Sequence, residues 1–71
     1  GDVDKQMRAA DAEVVAGTPE KAFDRLIETM KTTAGDEKAR VRERLLELFG
    51  LFEGNDPRVM EARTKLASAL Y

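Results

Sequence analysis

The sequence predicts an all-α fold: four helices arranged as two antiparallel hairpins in a short stack. Three observations carry this. Ala, Leu, Glu, Arg and Lys dominate the chain, and they are strong helix formers. Apolar residues recur at three- and four-residue spacing in four separate segments. Between the segments stand Gly17-Thr18-Pro19, Ala34-Gly35-Asp36 and Gly54-Asn55-Asp56-Pro57, each a breaker followed by a helix-start residue.

The first helix is expected from about Val3 to Ala16. Val3, Met7, Ala10 and Val14 make its apolar face, and Gly17 is its left-handed C-cap. Thr18 is the expected N-cap of the second helix, with Pro19 at its first position and Glu20 complementing the dipole. So short a junction predicts an antiparallel hairpin. The second helix is expected to run to about Thr32, with Ala22, Phe23, Leu26, Ile27 and Met30 on one face. Asp36 is the expected N-cap of the third helix. That helix is expected to reach about Phe52 before Gly54 closes it. Val41, Leu45, Leu48, Phe49 and Phe52 form its stripe, and Leu46 widens it. Asp56 caps the fourth helix, Pro57 opens it, and Val59, Ala62, Leu66, Ala69 and Leu70 face the core. Small residues let helices cross closely: Ala10 or Ala22 in the first hairpin, Ala62 or Ala67 in the second.

The chain is short enough to be one domain, residues 1–71. It holds no Cys and no His, so no disulfide or ordinary zinc site supports it and helix packing carries the fold. Charged residues are 37% of the chain and the net charge is −2, a solvated surface of mixed sign rather than the positive excess of a nucleic-acid binder. No apolar run approaches the ~18 residues that span a bilayer. The absence of an initial Met leads to the expectation of a piece of a longer protein.

No nucleophile–base pair or ligand set is legible, so neither enzyme activity nor a cofactor is expected. Lys38, Arg40, Arg42 and Arg44 form a basic cluster. Glu43 and Glu47 flank it at i,i+3 and i,i+4 spacing, so a self-paired, solvated face is the expectation. Asp36, Glu37 and Asp56 sit at helix starts, where carboxylates meet orphan N–H groups, so capping outweighs acid–base chemistry. Met30 reads as core filling. Met60, off the main stripe, is a groove candidate. Gly50 costs about 1 kcal/mol relative to Ala in a helix interior, and marks either a close crossing or a fold-back.

The segment Gly17-Thr18-Pro19-Glu20-Lys21-Ala22 resembles the inter-helix turn of a tetratricopeptide repeat, where Gly ends the first helix and an Ala five residues later faces it. Leu26 stands where that repeat carries an aromatic, Thr29 where it carries Ala, and Ala10 where it carries Gly. The stretch from Asp36 through Leu48-Phe49, Gly54-Asn55-Asp56-Pro57 and Lys65-Leu66-Ala67-Ser68-Ala69-Leu70-Tyr71 is similar to the C-terminal end of bacterial thioredoxin-like co-chaperones. It keeps Arg63, Leu66, Ala67, Leu70 and Tyr71. It departs at Ala62, where an aromatic is usual, and at Thr64, where a second Arg is usual.

The resemblance implies a thioredoxin-like domain outside this chain, a cytoplasmic bacterial setting, a link to redox homeostasis, and chaperones or unfolded clients as partners. On that basis Arg58, Met60, Arg63, Lys65, Leu70 and Tyr71 of the last helix are the candidate protein-binding residues. The isolated chain is expected to be monomeric, with no nucleic-acid or membrane partner. Two other readings stay open: a homo-oligomerisation module, and a nucleic-acid-binding helical domain using Arg40, Arg42 and Arg44.

Overall fold

The structure is a computed structural model that describes residues 2–70, the side chain of Leu70 excepted. It contains α1 (Asp2–Val15), α2 (Pro19–Lys31), α3 (Gly35–Phe49) and α4 (Pro57–Leu70). No strand occurs among the described residues. The all-α expectation and the four helices hold.

The helix ends show where local chemistry followed the sequence and where it did not. Gly17 adopts φ 87°. Behind it the Thr18 N–H donates to the Glu13 carbonyl at 2.9 Å and the Gly17 N–H to the Val14 carbonyl at 3.1 Å, the paired bonds of a left-handed C-cap. The Thr18 hydroxyl also donates backward, to the Glu13 carbonyl at 3.1 Å. Thr18 therefore makes no side-chain cap for α2, contrary to expectation. Its hydroxyl gives the Glu13 carbonyl of α1 a second donor, while Pro19 has no N–H to satisfy.

Gly35, at φ 59°, turns the chain into α3, so Asp36 falls inside the first turn beside Glu37 instead of capping it. α3 closes at Phe49, short of the expected Phe52, with Gly50 rather than Gly54 at its C-cap. Beyond it the chain tightens: the Leu51 N–H donates to the Leu48 carbonyl and the Phe52 N–H to the Phe49 carbonyl, both at 3.1 Å. These i→i−3 bonds satisfy the last carbonyls and fold Phe52 back onto the core. At α4 the expected cap forms. Asp56 Oδ1 accepts from the Arg58 backbone N–H at 2.9 Å.

α2 is the central element. It packs against α1, α3 and α4, whereas α3 and α4 lean on α2 more than on each other. α1 and α3 run parallel, because Arg40 reaches Asp4 and Arg44 reaches Asp11 further along both helices. α2 and α4 also run parallel. Arg58 lies beside Glu20 at one end, and Ala69 lines a groove with Ile27 and Lys31 at the other. Two helix pairs thus repeat in the same sense. A constant sequence offset marks the repeat: it relates Val3 to Val41, Met7 to Leu45, Ala10 to Leu48, Val14 to Phe52 and Pro19 to Pro57.

The core gathers Val3, Met7 and Ala10 of α1, nine residues of α2 and α3 including Phe23, and Val59, Ala62 and Leu66 of α4. Phe23 meets Phe49 edge-on at 4.9 Å and Phe52 at 5.9 Å. Ala10 and Ala22 are wholly buried, as a close α1–α2 crossing requires. In the second pair the buried small residue, Ala62, is on the stripe facing α2, while Ala67 is exposed. At the offset positions of Ala10 and Ala22 stand Leu48 and Met60. Two bulky residues stand where the first pair has alanines, Leu48 buried and Met60 exposed, and α3 and α4 do not close on each other as α1 and α2 do.

Candidate protein-binding surface

The candidate residues of α4 separate into those that hold the fold and those that face outward. Arg58 is locked onto Asp56, with Nη2 to Oδ2 at 2.8 Å and Nε to Oδ1 at 3.1 Å. Its guanidinium also lies 5.3 Å from the centre of the Phe52 ring. The side-chain hydrogen bond from Arg58, then its backbone N–H, hold the Asp56 carboxyl at about 2. Lys65 donates to Asp24 at 3.0 Å and lies 3.4 Å from Glu61, so it ties α4 to α2. The bond to Asp24 raises its pKa above the ordinary lysine value. Neither residue presents an unused cation.

Arg63 does. Its guanidinium sits over the Phe49 ring at 5.8 Å, and it meets no carboxylate among the described residues. Met60 is 55% exposed. The Leu70 side chain and all of Tyr71 lie outside the described residues, and with them those two candidates.

The basic cluster of α3 is spent chiefly on α1 and not, as expected, on its own helix. Arg40 binds Asp4 at 2.6 Å. Arg44 binds Asp11 at 2.5 Å and touches Glu47 at 3.4 Å. Glu43 makes no ion pair among the described residues. The register explains this. Residues 40, 44 and 47 share the α3 flank that faces α1, and the α1 carboxylates lie opposite. The Arg40 bond pulls the Asp4 carboxyl below its ordinary range, and the Asp11 bond raises Arg44. Arg42, on the other flank, has no such partner among the described residues.

On the outer side of the first pair Arg25 bridges Glu13, at 2.8 Å and 3.2 Å, and Gln6 at 2.8 Å. This fork lies in a shallow groove of about 850 Å³ lined mostly by charged and hydroxyl residues, among them Lys21, Asp24, Glu28 and Thr29, with Val3 also lining it. The arrangement is a satisfied network that covers the edge of the stack. Among the described residues no acidic cluster is arranged to hold a metal ion, and no helix is long and apolar enough to cross a membrane.

Among the described residues the exposed large apolar side chains are Val15 at 88%, Leu51 at 66%, Met60 and Leu46 at 44%. Leu46 was expected to widen the core stripe. It stands about 100° round the helix from Leu45 and faces outward instead. Leu51 and Val15 escaped the sequence reading altogether. The signal for Leu51 was Gly50, which ends α3 one residue before it.

Comparison with known proteins places these features. The sequence model of the tetratricopeptide repeat matches residues 1–71. The chain is 47% identical over 70 residues to an uncharacterised protein of Mycobacterium bovis, and equally to uncharacterised proteins from two strains of Mycobacterium tuberculosis. Each alignment covers 99% of this chain and 23% of the relative, so the chain spans about a quarter of the length of these proteins. No solved structure matches the chain.

Proposed function

This chain belongs to the tetratricopeptide repeat family, and from that membership we propose that it is the non-catalytic protein-binding module of a thioredoxin-like co-chaperone, contacting chaperones or unfolded clients in the cytoplasm. Tetratricopeptide repeats mediate protein–protein interaction, and the family match over the whole chain is the observation that carries the reading. The co-chaperone part is supported by the wording of the second half, from Gly54-Asn55-Asp56-Pro57 to Leu70-Tyr71. The length of the relatives leaves room for a further domain beside such a module.

The mechanism is passive. A packed pair of helix pairs holds a surface rigid, and a few anchor side chains supply the binding energy. Met60 and Arg63 are the α4 residues best placed as anchors, because Arg58 and Lys65 are already bound within the chain. Binding of nucleic acid is not part of the reading: Arg40 and Arg44 are neutralised by α1.

Two measurements test it. The reading frame around this segment should encode a thioredoxin-like domain. The longer protein should bind a purified chaperone, or delay aggregation of a denatured client, and should lose that on removal of these 71 residues. Within the module, Arg63→Ala and deletion of Leu70-Tyr71 should weaken binding while helicity stays. Parent-level binding by both folded variants would remove α4 as the contact surface.

A further inference from the structure

α3 and α4 lie against each other far less closely than α1 and α2 do, which leaves a seam between their facing flanks. On α3, Arg42, Leu46 and Phe49 recur at helical spacing on the flank away from α1. On α4, Met60, Arg63 and Ala67 share one flank in the same way. The Arg63 guanidinium over the Phe49 ring shows that the two flanks face each other. α3 and α4 make little close contact of their own. Leu46 and Met60, on either wall, are two of the large apolar side chains the chain exposes. Among the described residues neither Arg42 nor Arg63 meets a carboxylate, although Arg25, Arg40, Arg44 and Arg58 all do.

The chain itself displays how a helix docks on such a pair. α3 lays an apolar stripe against α1 and α2, and fixes it with two arginines one turn apart, Arg40 and Arg44, on Asp4 and Asp11 of α1. The same sequence offset carries Asp4 to Arg42, Arg8 to Leu46 and Asp11 to Phe49. The second pair therefore offers the incoming helix arginines and apolar surface where the first offers carboxylates. We infer that the α3–α4 cleft receives an amphipathic helix of a partner protein, with an apolar stripe over the exposed Leu46 and Met60 and carboxylates against Arg42 and Arg63. The inference rests on the protein-binding reading and gives it a ligand chemistry. A second copy of α1 is a poor occupant, because its Asp4 and Asp11 are already taken.

The test uses the 71-residue chain and two synthetic peptides of about 15 residues, each held helical by a side-chain bridge. One presents a Leu stripe flanked by Glu at i,i+4; the other carries Lys in place of Glu. Fluorescence anisotropy reads affinity and NMR shift mapping reads location. The acidic peptide should bind about tenfold tighter, the size expected when two partly exposed pairs turn from repulsive to attractive. The preference should shrink as salt rises, and shifts should fall on α3 and α4. Arg42→Glu with Arg63→Glu should invert the preference. Met60→Glu, which leaves both arginines, should weaken both peptides.

Arg63 covers Phe49, so Arg42→Glu alone carries the charge test if the double variant loses helicity, with the preference cut by about threefold. Equal affinity for the two peptides, or a preference unchanged by charge reversal, overturns the inference. So do shifts on the α1–α2 groove, or sedimentation as a dimer that neither peptide disperses. Failure of the longer protein to bind chaperone or client would instead sink the co-chaperone reading and leave the cleft's peptide preference standing.

Discussion

Phe23→Ala should unfold the domain, and Phe23→Leu should measure how much of that is ring chemistry. Phe23 is buried on α2, the helix that touches all three others. Its ring takes Phe49 edge-on at 4.9 Å and 74°, and Phe52 at 5.9 Å and 90°. Truncation to Ala removes the buried ring and leaves a cavity walled by three helices, a loss of about 3–5 kcal/mol. A domain of this size holds only about 4–10 kcal/mol in total. The Leu variant keeps most of the burial and forfeits two aromatic pairs at about 0.5–1.5 kcal/mol each. That is about 1–3 kcal/mol, or a Tm lower by about 5–20 °C for so small a domain. Far-UV circular dichroism through thermal and urea unfolding reads both. Phe23→Ala retaining a cooperative transition within about 10 °C of the parent would refute the central role of α2. Phe23→Leu within about 3 °C would show that the ring pairs contribute nothing beyond area.

Leu45→Ala removes a wholly buried side chain from the middle of α3 and should cost about 2–5 kcal/mol; a thermal midpoint near the parent's would contradict it. Asp56→Asn should flatten the acid limb of stability. The Asp56 pKa is lowered in the folded state to about 2, so its contribution is complete above the unfolded value and is lost as pH falls through the folded one. The parent should therefore lose more Tm than Asp56→Asn between about pH 4 and pH 2, and parallel pH curves would refute the assignment. A double-mutant cycle on Asp11 and Arg44 should return under about 1 kcal/mol, because the side chains keep 44% and 37% exposure and water screens them. A much larger coupling would mean that the α1–α3 seam is held by charge and not by its apolar stripe.

How far the sequence could be read follows from which terms are local. Helix identity was legible because Val41, Leu45 and Leu48, or Ala22, Leu26 and Met30, repeat on one face without help from the rest of the chain. The Gly17 and Asp56 ends were legible because a left-handed residue and a carboxylate one step before a helix act within one turn. Thr18 and Asp36 misled because each had a nearby competitor. The Glu13 carbonyl took the Thr18 hydroxyl, and Gly35 started α3 early. The partners of Arg40 and Arg44 were not legible at all. Asp4 and Asp11 are remote in sequence, and only the parallel packing of α1 and α3 brings them opposite. Met60 and Arg63 were named for their residue type and place on α4, not for the cleft they line.

The repeat offset also explains why one side of this small stack is finished and another is not. Counted from Pro19, α2 buries its third, fourth, seventh, eighth and eleventh following residues, Ala22, Phe23, Leu26, Ile27 and Met30. At the same places after Pro57, α4 carries Met60, Glu61, Thr64, Lys65 and Ser68, which are exposed. It buries Val59, Ala62 and Leu66 against α2 instead. α4 is therefore rotated relative to its counterpart, and the face that would have received another helix on the α2 plan is polar. The outer face of the first pair is polar too, closed by Arg25, Glu13 and Gln6. What the rotation cannot close is the wedge between α3 and α4, where Leu48 and Met60 stand at the offset positions of Ala10 and Ala22. Restoring small residues tests this directly. In Met60→Ala the second pair should draw together, with new cross-relaxation contacts between α3 and α4 by NMR and less exposure at Leu46. An unchanged α3–α4 spacing in a fully folded variant would show that the opening is set by the Gly50–Asp56 connection and not by the size of Met60.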